Sequence, residues 1–330
     1  MSYQTGTATS PINLLQTLVT WLVSIGWTQD MSQTDGLGWR AHLHKSGNYV
    51  NLRANMAETV WAGGVITPNG TGLNLYLGTG FASGSAWNAQ AGGPIGNAAA
   101  YTVGVGFNLP TGAIQNYYFF GDATGDNVVV VIEATPAIYK HMGWGLSLVK
   151  TGTWTGGPYF FGSSSGYIAN YNVAGPGTTL TTSCPGCDGD SQSYQSAFVR
   201  VDVDAFTGKW IGISNNNSYA PGGYTGKVGA SSVAPTMSYT MRTLAPRFTD
   251  NMNAVGSWQA NQTSSVDGRA NLLPVHLWAV RDTTGALSLI GAIPNVFFSN
   301  GVGQGFSNAS EYVLGTTTYK MFPNFAVIKQ

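Results

Sequence analysis

Charge is what this 330-residue chain lacks most. Asp, Glu, Lys and Arg make up 8% of it, about a third of the ~25% usual in globular proteins. The 14 acidic and 14 basic side chains cancel, so there is no general attraction to nucleic acid or to an anionic membrane surface. Cysteine is nearly absent: two residues, Cys184 and Cys187, cannot build a disulfide framework. No apolar run approaches the ~20 residues a spanning helix needs. The first residues carry no basic segment ahead of their apolar stretch, so the expectation is synthesis and assembly in a cytoplasm without a secretory signal. Glutamate is confined to Glu58, Glu133 and Glu311, which leaves little for paired-carboxylate chemistry.

What the chain has instead is apolar content of 43%, 45 glycines and 40 aromatic residues. That is enough for a sizeable core, and a weakly charged surface favours association over solubility. The densest run of strand formers is Val128–Ile132, bounded by the Asp122–Asp126 turn and by Thr135-Pro136. With the aromatic segment Tyr117–Phe120 before it and Tyr139–Leu148 after it, the stretch reads as a β-meander. Trp39–Ala54 is the clearest hairpin: Trp39, Ala41 and Leu43 alternate with Arg40, His42 and His44 around the Lys45–Asn48 turn. The polar set, with Arg53, is expected to form a solvated strand face. His42 and His44 are a weak candidate metal pair, because the neighbouring cations oppose a metal. Ala197–Ser214 is a second hairpin, and His276–Ile293 and Tyr312–Val327 supply further strands.

A single helix is expected near the N-terminus. Ser10 caps it, Pro11 opens it, and Ile12, Leu15, Leu18, Val19, Leu22 and Ile25 recur at helical spacing until Gly26. Its apolar face has two uses, packing on its own sheet or meeting a neighbouring subunit. Ile12, Leu15, Val19 and Leu22 are the candidate subunit contacts. Residues 1–9 read as an extended polar arm.

Two irregular tracts, Ser163–Ser196 and Asn215–Ser238, are long enough to count as contact loops. Trp154, Tyr167, Tyr171, Tyr194, Tyr219, Tyr224 and Trp258 are the candidate loop contacts, for protein or glycan, against the alternative that such aromatics cap a β-sandwich core. The Gly162–Gly166 run matches G-x-S-x-G in spelling only, since the residues after Gly166 cannot form a helix. Cys184-Pro185-Gly186-Cys187 lacks a second ligand pair for zinc and a βαβ setting for redox work. No catalytic residue, cofactor or metal is expected. The fold expected is mainly β, with antiparallel meanders in a sandwich-like body, one N-terminal α-helix and long irregular loops. The expected division is a subdomain over 1–66 and a β-rich body over 67–330, with one continuous domain as the alternative.

Six blocks together carry a resemblance: SPINLLQTLVTWLVSIGWT, DGLGWRAHLHKSGNYVNLRA, VVVVIEATPAIYKHMGWGLSLVKTGTWTGGPYFFGS, VRVDVDAFTGKWI, LPVHLWAVRDTTGALSLIGAIPNVFF and TTTYKMFP. In combination they resemble a family of tailed-bacteriophage virion structural proteins, nearly end to end. The resemblance implies a non-enzymatic particle component in the tail, at the baseplate or a fibre attachment point. Its partners would be other virion proteins and copies of itself. A host-surface glycan-binding module of the tail, and a capsid or collar decoration protein, are the alternatives. The resemblance transfers no catalytic residue.

Overall fold

The computed structural model describes residues 1–62, 65–94, 104–162, 164–166, 197–202, 209–214, 241–243, 272–280, 287–299, 306–323 and 325–330. Mainly antiparallel β-structure and a single described α-helix bear out the expected class.

The helix α1 spans Pro11–Ser24. The Ser10 side chain accepts from the Asn13 amide and Pro11 occupies the first turn, as the sequence spells out. Gly26, at φ 96°, turns the chain out of the helix.

Four strands come next in close succession: β2 (Thr28–Asp35), β3 (Gly38–Lys45), β4 (Asn48–Ala62) and β5 (Val65–Gly78). β3 and β4 pair from Trp39↔Ala54 to Lys45↔Asn48, the hairpin read from the sequence. Its two-residue turn holds Ser46 and Gly47 at φ 49° and 75°, the pattern of a type I′ connection. β6 (Gly104–Asn108) and the short β12 (Ser164–Gly166) complete a six-stranded sheet in the order β12-β6-β5-β4-β3-β2.

The larger sheet has 14 strands. It begins with β1 (Ser2–Ala8), β7 (Ile114–Gly121), β8 (Asn127–Thr135), β9 (Ile138–Gly145), β11 (Thr155–Gly162), β13 (Ala197–Asp202) and β14 (Lys209–Ser214). It continues through β15 (Met241–Thr243), β16 (Leu272–Val280), β17 (Leu287–Ser299), β20 (Phe325–Ile328), β19 (Thr317–Phe322) and β18 (Glu311–Leu314), while β10 (Val149–Lys150) pairs with β17 off this path. The β14–β15 pair is parallel, and the other described pairs are antiparallel.

Side-chain alternation shows how the layers stack. Along β8, Val128, Val130 and Ile132 join one core with α1 and the inner face of the six-stranded sheet. Val129 and Val131 point the other way, into a second core with Val275, Ile293, Val296, Phe322, Phe325 and Val327. β11 and β13 divide likewise: Phe160 and Phe198 face the first core, Tyr159, Phe161 and Val199 the second. The first half of the large sheet is therefore a middle layer, between the helix and small sheet on one side and the sheet's own last strands on the other. A strand covered on both faces needs an unbroken apolar run, which is why Val128–Ile132 has no polar alternation.

Two expectations are corrected here. Residues 1–9 are no free arm: β1 pairs with β7 from Ser2↔Gly121 to Ala8↔Ile114. Its position on the large sheet is fixed by ladder hydrogen bonds and by Tyr3, whose ring lies 5.2 Å from that of Phe120. Nor does a division fall at residue 66. β5 runs through that position, and the first core joins residues from Ala8 to Trp210.

Candidate assembly surfaces and a buried polar layer

The outer face of the six-stranded sheet is polar but not solvated. Arg40, His42, Asn51, Asn55 and Asn74 are all buried, and His42 and Asn51 have no exposed surface. Over Arg40 and His42 lies the strap Thr79–Gly92, a compact loop whose ends meet through the Thr79 amide donating to Ala91 O at 2.8 Å. Gln90 fills the middle of the strap. Its side-chain oxygen accepts from the Ala82 amide at 2.7 Å, and its side-chain nitrogen donates to the carbonyls of Ala82, Ser85 and Ala86. Arg40 Nη1 donates to Ser85 O at 3.0 Å, and Trp210 Nε1 of β14 donates to Gly92 O at 2.7 Å. Tyr76 donates to Trp87 O, and the two rings meet edge to face at 5.3 Å.

This corrects the expectation of a solvated β3 face. Only its far end is wet: His44, paired with Asp30 at 2.8 Å, lies on the surface. His42 is held by Asn51 and His44 by Asp30, so the two imidazoles do not converge on a common ligand position. Among the described residues no three His, Cys, Asp or Glu side chains gather as a metal site, and no helix is long and apolar enough to cross a membrane.

The helix residues named as subunit contacts are used inside the chain. Leu15, Val19 and Leu22 are buried in the first core, and Ile12 packs half-buried against it. Leu15, Val19 and Leu22 are thus taken up by packing within the chain, while Ile12 keeps part of its side chain at the surface. Trp154 is corrected in the same way. It belongs to the second core, with Lys150 Nζ 4.9 Å above its ring. Trp87, on the strap, is buried in the first core. Tyr167, Tyr171, Tyr194, Tyr219, Tyr224, Trp258, Cys184 and Cys187 lie outside the described residues. Ser164 sits on β12, paired to Gly106, rather than at a strand-to-helix elbow.

Free surface suited to contact occurs at the sheet margins. Among the described residues β1 and β18 end the large sheet, and β12 and β2 end the small one, each paired on one side. β2 is the longest of these, eight residues, and most of its side chains are exposed. Its carboxylates are already matched, Asp30 to His44 and Asp35 to Arg53 at 3.1 Å. β18 is short but exposes Val313 at 62% and Leu314 at 49%, next to the Gly315 turn. Its one charge, Glu311, is drawn to Lys329 at 2.8 Å and Lys320 at 3.6 Å. The hydrogen bond from Lys329 holds the Glu311 carboxyl below its usual range. In the sequence this edge is marked by an apolar pair directly before a glycine turn.

No family model matches the chain, and no curated protein matches it significantly.

Proposed function

We propose that this chain is a non-enzymatic structural component of a tailed-phage virion, in the tail or at a baseplate or fibre attachment point, acting through multivalent contacts with other virion proteins and copies of itself. The observation that supports the reading best is the combination of a nearly uncharged chain with sheet margins that are open on one side among the described residues, β18 carrying an exposed Val313-Leu314 pair. Unpaired strand edges recruit further strands, and natural monomers usually blunt them with lysine, proline or bulges. β18 has neither lysine nor proline. The glycan alternative is weakened by Trp154, whose indole is packed into the second core.

The test is co-assembly. Wild-type protein is expected to self-associate or to bind other particle components in light scattering. The Val313→Asp/Leu314→Asp double variant should keep its melting temperature and lose that association. Cryo-EM of the intact particle should then find the chain in the tail. A wild-type protein that stays a soluble monomer with no affinity for other virion parts overturns the reading.

A further inference from the structure

The strap Thr79–Gly92 meets Arg40, Tyr76 and His42 of the polar layer, and of these three side chains the imidazole is the one that ordinarily changes charge between pH 5 and 8. His42 is wholly buried, and its Nδ1 lies 2.6 Å from Asn51 Oδ1. With Nδ1–H donating to that oxygen, Nε2 carries the lone pair, and it has no hydrogen-bond partner among the described residues. From the strap, the ring of Phe81 leans over the imidazole at 4.9 Å and 36°. The strap itself contains no charged residue. Around His42, β3 contributes Arg40 and, further along, His44, which is tied to Asp30. β2 contributes Asp30 and Asp35, β4 contributes Asn51 and Arg53, and β5 contributes Asn74 and the Tyr76 hydroxyl, which is engaged with Trp87 O.

We propose that His42 is an acid-sensitive catch for the strap: a solvent proton taken up at Nε2 releases Phe81 and its loop and uncovers the polar face of the six-stranded sheet. An imidazolium has two N–H donors, and the closed layer gives it one acceptor. The new donor would point into a buried space beneath an aromatic ring, with the Arg40 guanidinium in the same layer. Lifting the strap supplies water to both.

Burial is the main influence that lowers the proton affinity of His42 in the closed form, and Arg40 adds to it; the Asn51 hydrogen bond and the charges of Asp30 and Asp35 oppose it without reversing it. The open form titrates near the ordinary value of about 6.5. The closed strap is therefore favoured fully above that pH. As pH falls below it, opening gains up to tenfold per unit until the closed form itself takes the proton. The catch does not depend on the particle reading, because it rests on contacts within one chain.

Hydrogen exchange of the full chain between pH 8 and pH 5, corrected for intrinsic chemistry, tests the proposal. Wild-type amides in 79–92 are expected to lose protection by up to tenfold per pH unit below about 6.5. His42→Gln should abolish that dependence, while His44→Gln, altered at the surface, should keep it. Strap exchange that ignores pH in the wild type, or acid loosening that survives in His42→Gln, overturns the proposal. If His42→Gln fails to fold, NMR titration of the wild-type ring decides. A midpoint below the ordinary value, with Phe81 resonances shifting in step, supports the catch. A midpoint at or above that value, or Phe81 resonances that do not move, rejects it.

Discussion

Lys45 Nζ lies 3.1 Å from Asp126 Oδ1 and donates as well to the carbonyls of Thr124 and Ile25. One ammonium at the end of β3 thus ties the small sheet to the last turn of α1 and to the β7–β8 turn of the middle layer. Trp27 reinforces the junction, with Nε1 donating to Gly125 O at 2.8 Å. Gly125 belongs there for a reason of space as well as its φ of 72°: a Cβ would come within 2.4 Å of Ile25 O.

Removing the Lys45 head group should therefore loosen the layers. Lys45→Met keeps most of the stem and is expected to cost about 1.5–3 kcal/mol in urea unfolding, the range for hydrogen bonds that involve a charged group. Asp126→Asn should cost less, about 0.5 kcal/mol, because Asp126 is more than a third exposed and its ion pair is screened. Equal losses for the two variants would mean that the ion pair, not the carbonyl contacts, holds the junction.

The same turn has an acid limit. Burial raises the Asp122 carboxyl, but hydrogen bonds from the Asn127 side chain, the Asp126 amide and the Thr124 hydroxyl outweigh it and hold the group below its ordinary value. A depressed carboxyl stabilises the fold above its unfolded value, near 3.8, and loses that contribution as pH falls through the folded value. Asp122→Ala is expected to lower stability at pH 7 and to flatten the decline below about pH 4. Thermal melts at pH 7, 4 and 3 check this, and a variant with the wild-type acid slope refutes it.

In the middle layer, Gly143 sits where two neighbours leave no room for a side chain. A Cβ there would meet Phe161 Cζ at 2.5 Å and Val128 O at 2.6 Å. Gly143→Ala should cost about 1–3 kcal/mol through overpacking. Gly112, exposed with nothing within 4 Å, is the control, and Gly112→Ala should stay within about 0.5 kcal/mol of wild type.

Two adjacent helix residues separate packing from docking. Leu22 is wholly buried and Val23 is 47% exposed. Leu22→Ala is expected to cost about 2–5 kcal/mol, and Val23→Ala less than about 1 kcal/mol. If both variants unfold at the wild-type urea midpoint, the helix does not anchor the first core.

How legible all this was depended on distance along the chain. The Ser10 cap, the Pro11 start, the Ser46-Gly47 turn and the β3–β4 register were readable because neighbours in sequence make them. The open edge at Val313-Leu314 was half legible, as an apolar pair beside a glycine turn. The burial of His42 was not, since the strap that covers it begins 37 residues later and is drawn down partly by Trp210.

The sequence by itself therefore determined the strand-rich class, the one helix and most turns, because periodicity, capping and backbone freedom act over a few residues. Only the tertiary structure decided which faces are covered. Val128–Ile132 became a middle layer because both its faces found apolar partners, α1 with the small sheet on one side and the last strands on the other. Most of the apolar face of α1 was taken up by the first core for the same reason. Burial is a property of what arrives from far along the chain, and no local pattern records it.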